Sequence, residues 1–113
     1  MHEIGVLMEI VKSVEKVAKE NDVQKIKTLV LQIGELSSVV PQYMKTLYPA
    51  ATEGTILEES ELEIEILPAN GLCRDCNRVF GLVQNNGICP RCGTGNYEVL
   101  NGKELYIKEI LCC

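Results

Sequence analysis

The chain has 113 residues, of which 46% are hydrophobic and only 4% aromatic, and it carries a formal net charge of −5. This length predicts one domain, or one domain with a small inserted module, around a modest core of Val, Ile and Leu. An acidic chain lacks the cationic surface that displaces counterions from phosphates, which excludes nucleic acid as a partner.

The first periodic segment, residues 4–20, predicts an amphipathic helix. Its apolar residues recur at spacings of three and four, which stacks on one face Ile4, Leu7, Met8, Val11, Val14 and Ala18. Charged residues from Glu9 to Glu20 interrupt the segment, so it holds no uncharged apolar stretch that could serve as a secretory signal or a membrane span. We therefore expect a cytoplasmic protein without a membrane partner.

Residues 25–36 switch to an alternating pattern. This pattern predicts a strand, with Gly34 at its exit or at a bulge. A second helix should follow Ser37 and Ser38, with Pro41 in its first turn, where the missing N–H of proline is harmless.

Pro49 lies inside the expected second helix. Proline removes a backbone donor there and its ring crowds the carbonyl of Lys45, so we expect a kink or an early end of the helix. Gly54 is suited to follow the last turn as a C-terminal cap, because glycine adopts positive φ without strain.

Residues 61–67 alternate cleanly and predict a second strand. Its inward side chains are expected to be Leu62, Ile64 and Ile66, with the glutamates facing outward. The run from Pro68 to Gly71 then breaks the pattern and marks a boundary.

Beyond the boundary lies a cysteine-rich module, followed by Asn101-Gly102, which is a strong signal for a two-residue hairpin turn. That turn should lead into a last strand over 103–111. We predict an α+β fold in which about three strands and two helices form a small two-layer unit, residues 1–70 with 101–113, and a zinc-ribbon-like module, residues 71–100, is inserted.

Two C-x-x-C pairs, separated by twelve residues, are the most specific motif in the chain. They are CRDC, with Cys73 and Cys76, and CPRC, with Cys89 and Cys92. Two intervening residues let a tight turn point both sulfurs at one ion, and two such turns complete a tetrahedral S₄ site. A site with all four positions filled by protein is closed, which indicates a structural metal.

Other interpretations of these cysteines are a redox pair, two disulfides, or a rubredoxin-like iron site. Duplication of the motif and a reducing cytosol favour zinc. Asn77 and Gly93, each directly after a pair, tolerate the left-handed backbone conformation that such turns commonly need.

No sequence feature points to an enzyme. The chain has no nucleophile–histidine–carboxylate arrangement, P-loop or dinucleotide motif, and its one histidine is His2. The adjacent Cys112 and Cys113 are interpreted as incidental thiols on a frayed tail.

The first three residues offer a second metal site of a different kind. A free α-amine on Met1, the backbone nitrogen of His2 and the Nδ1 atom of its imidazole can reach one ion through five- and six-membered chelate rings. Glu3 adds a backbone nitrogen and a carboxylate. This nitrogen-rich arrangement favours Ni(II) or Cu(II).

Four segments together resemble the HypA/HybF family of hydrogenase maturation nickel metallochaperones. They are the initial MHE, QIGELSSVVP, ATEGTILEESELEIE and the paired C-x-x-C motifs. The resemblance keeps the order of these segments and covers nearly the whole chain.

This resemblance implies a nickel site at Met1, His2 and Glu3, and a zinc site at Cys73, Cys76, Cys89 and Cys92. It also implies delivery of Ni(II) to the large subunit of [NiFe]-hydrogenase together with a HypB-type GTPase, and some relatives also serve urease. Pro49 and the terminal cysteine pair depart from the family pattern. The residues leave two alternative functions open, a zinc-ribbon adaptor and a small rubredoxin-like electron carrier.

Overall fold

The computed structural model describes residues 3–112, which form two helices and six strands. In chain order these are α1 Glu3–Glu20, β1 Ile26–Gly34, α2 Pro41–Thr52, β2 Glu61–Leu67, β3 Asn70–Cys73, β4 Val79–Gly81, β5 Tyr97–Val99 and β6 Leu105–Cys112. The predicted α+β class and the predicted order of helix, strand, helix, strand, insert and strand are confirmed. Neither helix is long and apolar enough to cross a membrane.

The strands form two three-stranded sheets. One has the order β2-β1-β6, and its central strand β1 is almost entirely buried, as expected for a run rich in Val, Ile and Leu. The other has the order β4-β3-β5, with β3 antiparallel to both neighbours.

The described residues divide into two compact units. The first comprises residues 3–32, 38–65 and 106–112, and the second comprises residues 33–37 and 66–105. In the first unit α1 packs against α2. The second unit therefore contains more of the chain than the predicted cysteine module, residues 71–100. The assignment of nickel to one part of the chain and zinc to the other stays a prediction.

The buried stripe of α1 is narrower than its periodicity suggests. The helix buries Leu7, Ile10, Val11, Val14 and Ala18. The prediction is wrong for Ile4 and for Met8, whose side chain is 48% exposed. Met8 directly follows the buried Leu7 and so lies at the flank of the stripe, because residues of a helix that are one position apart point about 100° from each other, and Ile4 lies in the first turn.

The second helix runs through Pro49 and ends at Thr52, so of the expected kink or early end the early end is wrong and the kink stays a prediction. Its last turns bury Tyr48, Ala51 and Thr52, and the Thr52 hydroxyl donates to the Tyr48 carbonyl at 2.9 Å. Burial of this turn offsets the backbone bond that proline cannot make.

The predicted glycine cap of α2 does not form. Gly54 has the positive φ, +77°, that suits a cap. The C-cap residue, however, is Glu53, and the Gly54 N–H donates to the Glu58 carboxylate at 3.0 Å.

Strand β2 has the predicted bounds but not the predicted burial. Leu62 and Ile64 are partly buried, whereas Ile66 is 50% exposed. The strand lies at the edge of its sheet, so it has a neighbouring strand on one side only.

Asn101 and Gly102 do not form a hairpin turn, because the strands that flank them, β5 and β6, belong to different sheets. The Asn101 side-chain amide instead binds the segment between β2 and β3. Its Nδ2 donates to the Pro68 carbonyl and its Oδ1 accepts from the Asn70 N–H, each at 3.1 Å. Gly102, with a φ of +129°, accepts a bond of 2.7 Å from the Leu36 N–H. These bonds fasten three separate segments of the second unit.

Candidate metal centres

The four cysteines of the paired motifs converge on one point in the second unit. All four Sγ atoms lie within 4.8 Å of one another, and no other metal-binding group is found among residues 3–112. The Sγ atoms of Cys73 and Cys92 are 3.4 Å apart, and those of Cys76 and Cys89 are 3.6 Å apart. A tetrahedral site with Zn–S bonds of about 2.3 Å places its sulfurs about 3.8 Å apart, so the cluster has the size that a tetrathiolate zinc site needs.

We call the tight turn around each C-x-x-C pair a knuckle. The first knuckle, at Cys73 and Cys76, begins where β3 ends. The Cys73 N–H donates to the Arg78 carbonyl and the Asn77 N–H donates back to the Cys73 carbonyl, both at 2.8 Å. These two bonds close the turn around C-x-x-C. Asn77 has a φ of +61°, which confirms that the turn needs a residue tolerant of the left-handed region.

The second knuckle repeats the same bonds at the same spacing. The Cys89 N–H donates to the Thr94 carbonyl and the Gly93 N–H donates to the Cys89 carbonyl, both at 2.9 Å. Gly93 has a φ of +76°. The duplicated sequence motif is therefore a duplicated turn.

Backbone amides stabilise negative charge on the sulfurs. The N–H of Cys92 donates to the Cys89 sulfur and lowers the pKa of Cys89 to about 6. The N–H of Thr94 favours the thiolate of Cys92 and is the largest single effect, but the three neighbouring thiols and desolvation together outweigh it, and the pKa of Cys92 is raised to about 12. Four sulfurs this close cannot all be thiolates unless a cation compensates their charge.

Burial and separation distinguish this cluster from disulfides. Cys73 and Cys89 are buried, Cys76 is partly buried and Cys92 is exposed, and all are free thiols. Their sulfur separations exceed the S–S bond length of about 2.05 Å by more than 1 Å. The two buried cysteines, Cys73 and Cys89, pack with Ala69, Phe80 and Leu82. The cluster therefore forms part of the core of the second unit.

Of the three residues of the N-terminal motif, the structure describes only Glu3, because Met1 and His2 lie outside the described residues. Glu3 is the first residue of α1, and its Oε2 accepts a hydrogen bond of 3.0 Å from the backbone N–H of Val40. Sequence reasoning missed this contact, since the two residues are 37 positions apart and a valine gives no signal of it.

Cys112 is the last residue of β6, so the prediction of a frayed tail is wrong for it, while Cys113 lies outside the described residues. The exposed Cys112 borders an apolar cavity of about 150 Å³ in the first unit, with Val17, Ala18 and Ile110 among its walls. It is remote in sequence from the four clustered cysteines and does not join their cluster.

A family model described as HypA, the hydrogenase/urease nickel incorporation metallochaperone, matches residues 1–112. A hydrogenase maturation factor HypA of Moorella thermoacetica is 36% identical over 107 residues, which cover 95% of each chain. One of Nostoc punctiforme is 39% identical over 110 residues, which cover 97% of this chain and 94% of the relative.

Solved structures are similar over the same extent. The solution structure of the Ni metallochaperone HypA from Helicobacter pylori has a TM-score of 0.69 at 25% identity, covering 99% of this chain and 97% of that one. A second solution structure of a HypA protein has a TM-score of 0.71, also at 25% identity, covering 100% of this chain and 97% of that one.

Proposed function

Because this chain belongs to the HypA family of nickel metallochaperones for hydrogenase maturation, which are not enzymes, we propose that it binds Ni(II) through Met1, His2 and Glu3 and delivers the ion to the large subunit of a [NiFe]-hydrogenase. The observation that carries this proposal is the match of the family model from residue 1, which includes the MHE motif.

The chemistry of the donors supports nickel as the cargo. The Met1 amine, the His2 backbone nitrogen and the His2 Nδ1 form a nitrogen-rich set, and such sets favour tetragonal Ni(II) or Cu(II). The amine and the imidazole must lose their protons before they bind, as must the amide. Nickel affinity should therefore fall as the pH decreases through about 8 to 6, the range of the reference pKa values of these groups.

We propose that the four clustered cysteines hold a structural zinc ion. Three observations support this proposal: the four sulfurs have the spacing of a tetrahedral site, the two knuckles have matching hydrogen bonds, and backbone N–H groups point at the sulfurs of Cys89 and Cys92. A closed S₄ site leaves no position for a substrate, so the ion would stabilise the second unit and take no part in chemistry. Elemental analysis of protein purified without chelator should find one zinc per chain. Iron, with the red colour of a rubredoxin-like site, would contradict the assignment.

The maturation role implies contact with the hydrogenase maturation machinery. Within that machinery we propose a HypB-type GTPase as the partner in nickel delivery and the hydrogenase large subunit as the recipient, in the cytoplasm. The family description also names urease, which makes urease maturation proteins a second group of candidate partners.

Nickel calorimetry on three proteins tests the proposal: the untagged chain, a chain extended by two residues before Met1, and His2→Ala. The extension keeps every side chain but replaces the α-amine with an amide, so it should weaken binding nearly as much as His2→Ala does. Equal nickel affinity in all three would contradict the proposed site and leave the zinc-ribbon adaptor as the better account.

A further inference from the structure

All arginines of the chain lie in the two knuckles. Arg74 and Arg78 belong to the first knuckle and Arg91 belongs to the second. The one acidic residue in these two segments is Asp75, so the knuckles carry a positive charge on a chain whose net charge is −5. Outside the knuckles the long basic side chains are all lysines. The chain therefore presents guanidinium groups at this place alone.

Hydrogen bonds of the knuckle backbone fix where each arginine starts. The backbone N–H groups of Arg78 and Arg91 each donate to a cysteine sulfur of the cluster. The N–H of Arg74 donates to the Asn96 carbonyl at 3.0 Å. All three arginines are exposed, and none forms an ion pair with another described residue. The metal centre thus uses the backbone of these residues and leaves their charged ends for another partner.

The three arginines also start close together. Arg74 directly follows Cys73. Arg91 directly precedes Cys92, whose sulfur is 3.4 Å from that of Cys73. With about 3.8 Å between adjacent Cα atoms, the Cα atoms of Arg74 and Arg91 lie within about 17 Å of each other. Arg78 starts nearby, because its carbonyl accepts the Cys73 N–H at 2.8 Å. An extended peptide rises about 3.3 Å per residue, so a segment of about six residues spans this distance.

An apolar surface adjoins the arginines on the outer face of the sheet β4-β3-β5. Leu72 in β3 lies opposite Val79 in β4, and opposite residues share a face of the sheet. Side chains alternate along a strand, so Arg74 leaves on the same face as Leu72, and the buried Cys73 lies on the other. Val79 is 55% exposed. Glu98, opposite Leu72 in β5, shares this face but pairs with none of the arginines.

We propose that this face of the second unit, formed by Arg74, Arg78 and Arg91 with Val79, binds an acidic segment of a partner protein. Guanidinium groups form bidentate bonds with carboxylates, and arginine is enriched where proteins bind one another whereas lysine is depleted. A nucleic acid fits less well, because its phosphates would meet the repulsion of a chain with a net charge of −5. The inference goes beyond the proposed function, since nothing in it depends on nickel or on the first three residues.

The first test uses the wild-type chain, purified without chelator, and a synthetic peptide of about ten residues, mostly glutamate with two leucines. Because every arginine of the chain belongs to this surface, protein labelled with ¹⁵N-arginine reports on the surface alone. The Nε–Hε signals should shift as the acidic peptide is added. A matched peptide with glutamine in place of glutamate should leave them unchanged. No shift with the acidic peptide, or equal shifts with both peptides, would overturn the proposal.

A variant without the three positive charges provides the second test. Arg74→Gln, Arg78→Gln and Arg91→Gln in one chain should weaken binding of the acidic peptide about tenfold, because three partly solvated ion pairs are lost. Nickel calorimetry on the same variant should match the wild type, so a failure of this surface is distinguishable from a failure of the nickel site. Should the variant fail to fold, the titration of the wild type decides the question alone.

Two controls separate this surface from a general effect of charge. Replacing three exposed lysines of the first unit with glutamine, Lys16, Lys19 and Lys45, removes the same charge and should leave the peptide affinity unchanged. An equal loss in the two triple variants would overturn the proposal. A single-stranded oligonucleotide that binds as tightly as the peptide, and loses the same affinity in the arginine variant, would assign the surface to phosphate groups and also overturn it.

The metal content of the arginine variant is the last control. The competing account is that the guanidinium groups offset the negative charge of the four sulfurs, in which case the variant would bind its metal less well. Elemental analysis should find the same metal content as in the wild type. Loss of the metal would assign the arginines to the metal centre and overturn the proposal.

Discussion

Asn77 and Gly93 occupy equivalent positions in the two knuckles: each lies four residues after the first cysteine of its pair and donates its N–H to that cysteine's carbonyl. Their φ angles are +61° and +76°. The two C-x-x-C turns therefore impose the same backbone requirement, and the chain meets it once with asparagine and once with glycine.

Replacing Gly93 with Ala should weaken the second knuckle. An added Cβ meets no atom within 4 Å, so the cost is the left-handed backbone alone, about 1 kcal/mol. Asn77→Gly is the matched control and should leave the knuckle intact, because it relaxes the same requirement. The rate of metal release to a colorimetric chelator measures both. Equal rates for Gly93→Ala and the wild type would show that the turn does not need the left-handed residue.

Removing the metal should disorder residues 66–105 and leave α1 folded, because the free energy of metal binding is also local folding free energy. Cys73→Ser should have the same effect as a chelator, since it removes one of the two buried thiols of the cluster. Hydrogen exchange followed by mass spectrometry resolves the segments. Cys112→Ser is the control, as this exposed thiol lies outside the cluster, and it should retain the metal. Loss of protection in α1 to the same degree would contradict a separable second unit.

Gly34→Ala should be strongly destabilising, by about 2 kcal/mol or more. A Cβ there would run into the carbonyl of Gly102, a backbone group that cannot rotate away. Gly5→Ala provides the opposite case, since a Cβ on this residue of α1 meets nothing within 4 Å and should stabilise the helix by about 0.5–1 kcal/mol. Urea unfolding measures the change in unfolding free energy, which should be a loss for Gly34→Ala and a gain for Gly5→Ala. A Gly34→Ala protein as stable as the wild type would contradict the close approach of Gly34 to the Gly102 carbonyl.

Tyr48 predicts a dependence of stability on alkaline pH. Burial raises its pKa above the ordinary 10, although the hydrogen bond with the Ser60 hydroxyl opposes this shift. Between the unfolded and the folded pKa only the unfolded chain ionises, so stability is present below about 10 and is lost as the pH rises above it.

Tyr48→Phe removes this titration together with the hydrogen bond, at a cost of about 1 kcal/mol near pH 8. The difference in unfolding free energy between wild type and Tyr48→Phe should therefore shrink above pH 10. A difference that stays constant across this range would show that the Tyr48 pKa is not raised. The other tyrosines titrate in both proteins and cancel in the comparison.

Most of the architecture was predictable from local patterns. The periods of 3.6 and 2 identified both helices and three of the strands, and the spacing of the cysteine pairs identified the four sulfurs that converge. Each helical or strand period, and each C-x-x-C turn, depends on residues within about five positions of one another. Hydrogen bonds such as those between Cys73 and Arg78, or between Cys89 and Thr94, repeat because the short sequences that form them repeat.

Tertiary structure decided the outcome where a local pattern predicted one structure but a distant segment bonded to the same polar groups or buried the same residues. Asn101-Gly102 has the composition of a hairpin turn, yet Pro68 and Asn70 take up the Asn101 amide and the flanking strands join different sheets. Pro49 stays inside a helix because burial around Tyr48 and Thr52 outweighs one missing backbone bond. The bond from Val40 to Glu3 has no sequence signal, since a backbone N–H accepts any carboxylate that the fold brings to it. The sequence by itself therefore determined both helices, three of the strands, the cysteine cluster and the family, whereas long-range packing determined which partner each polar group found.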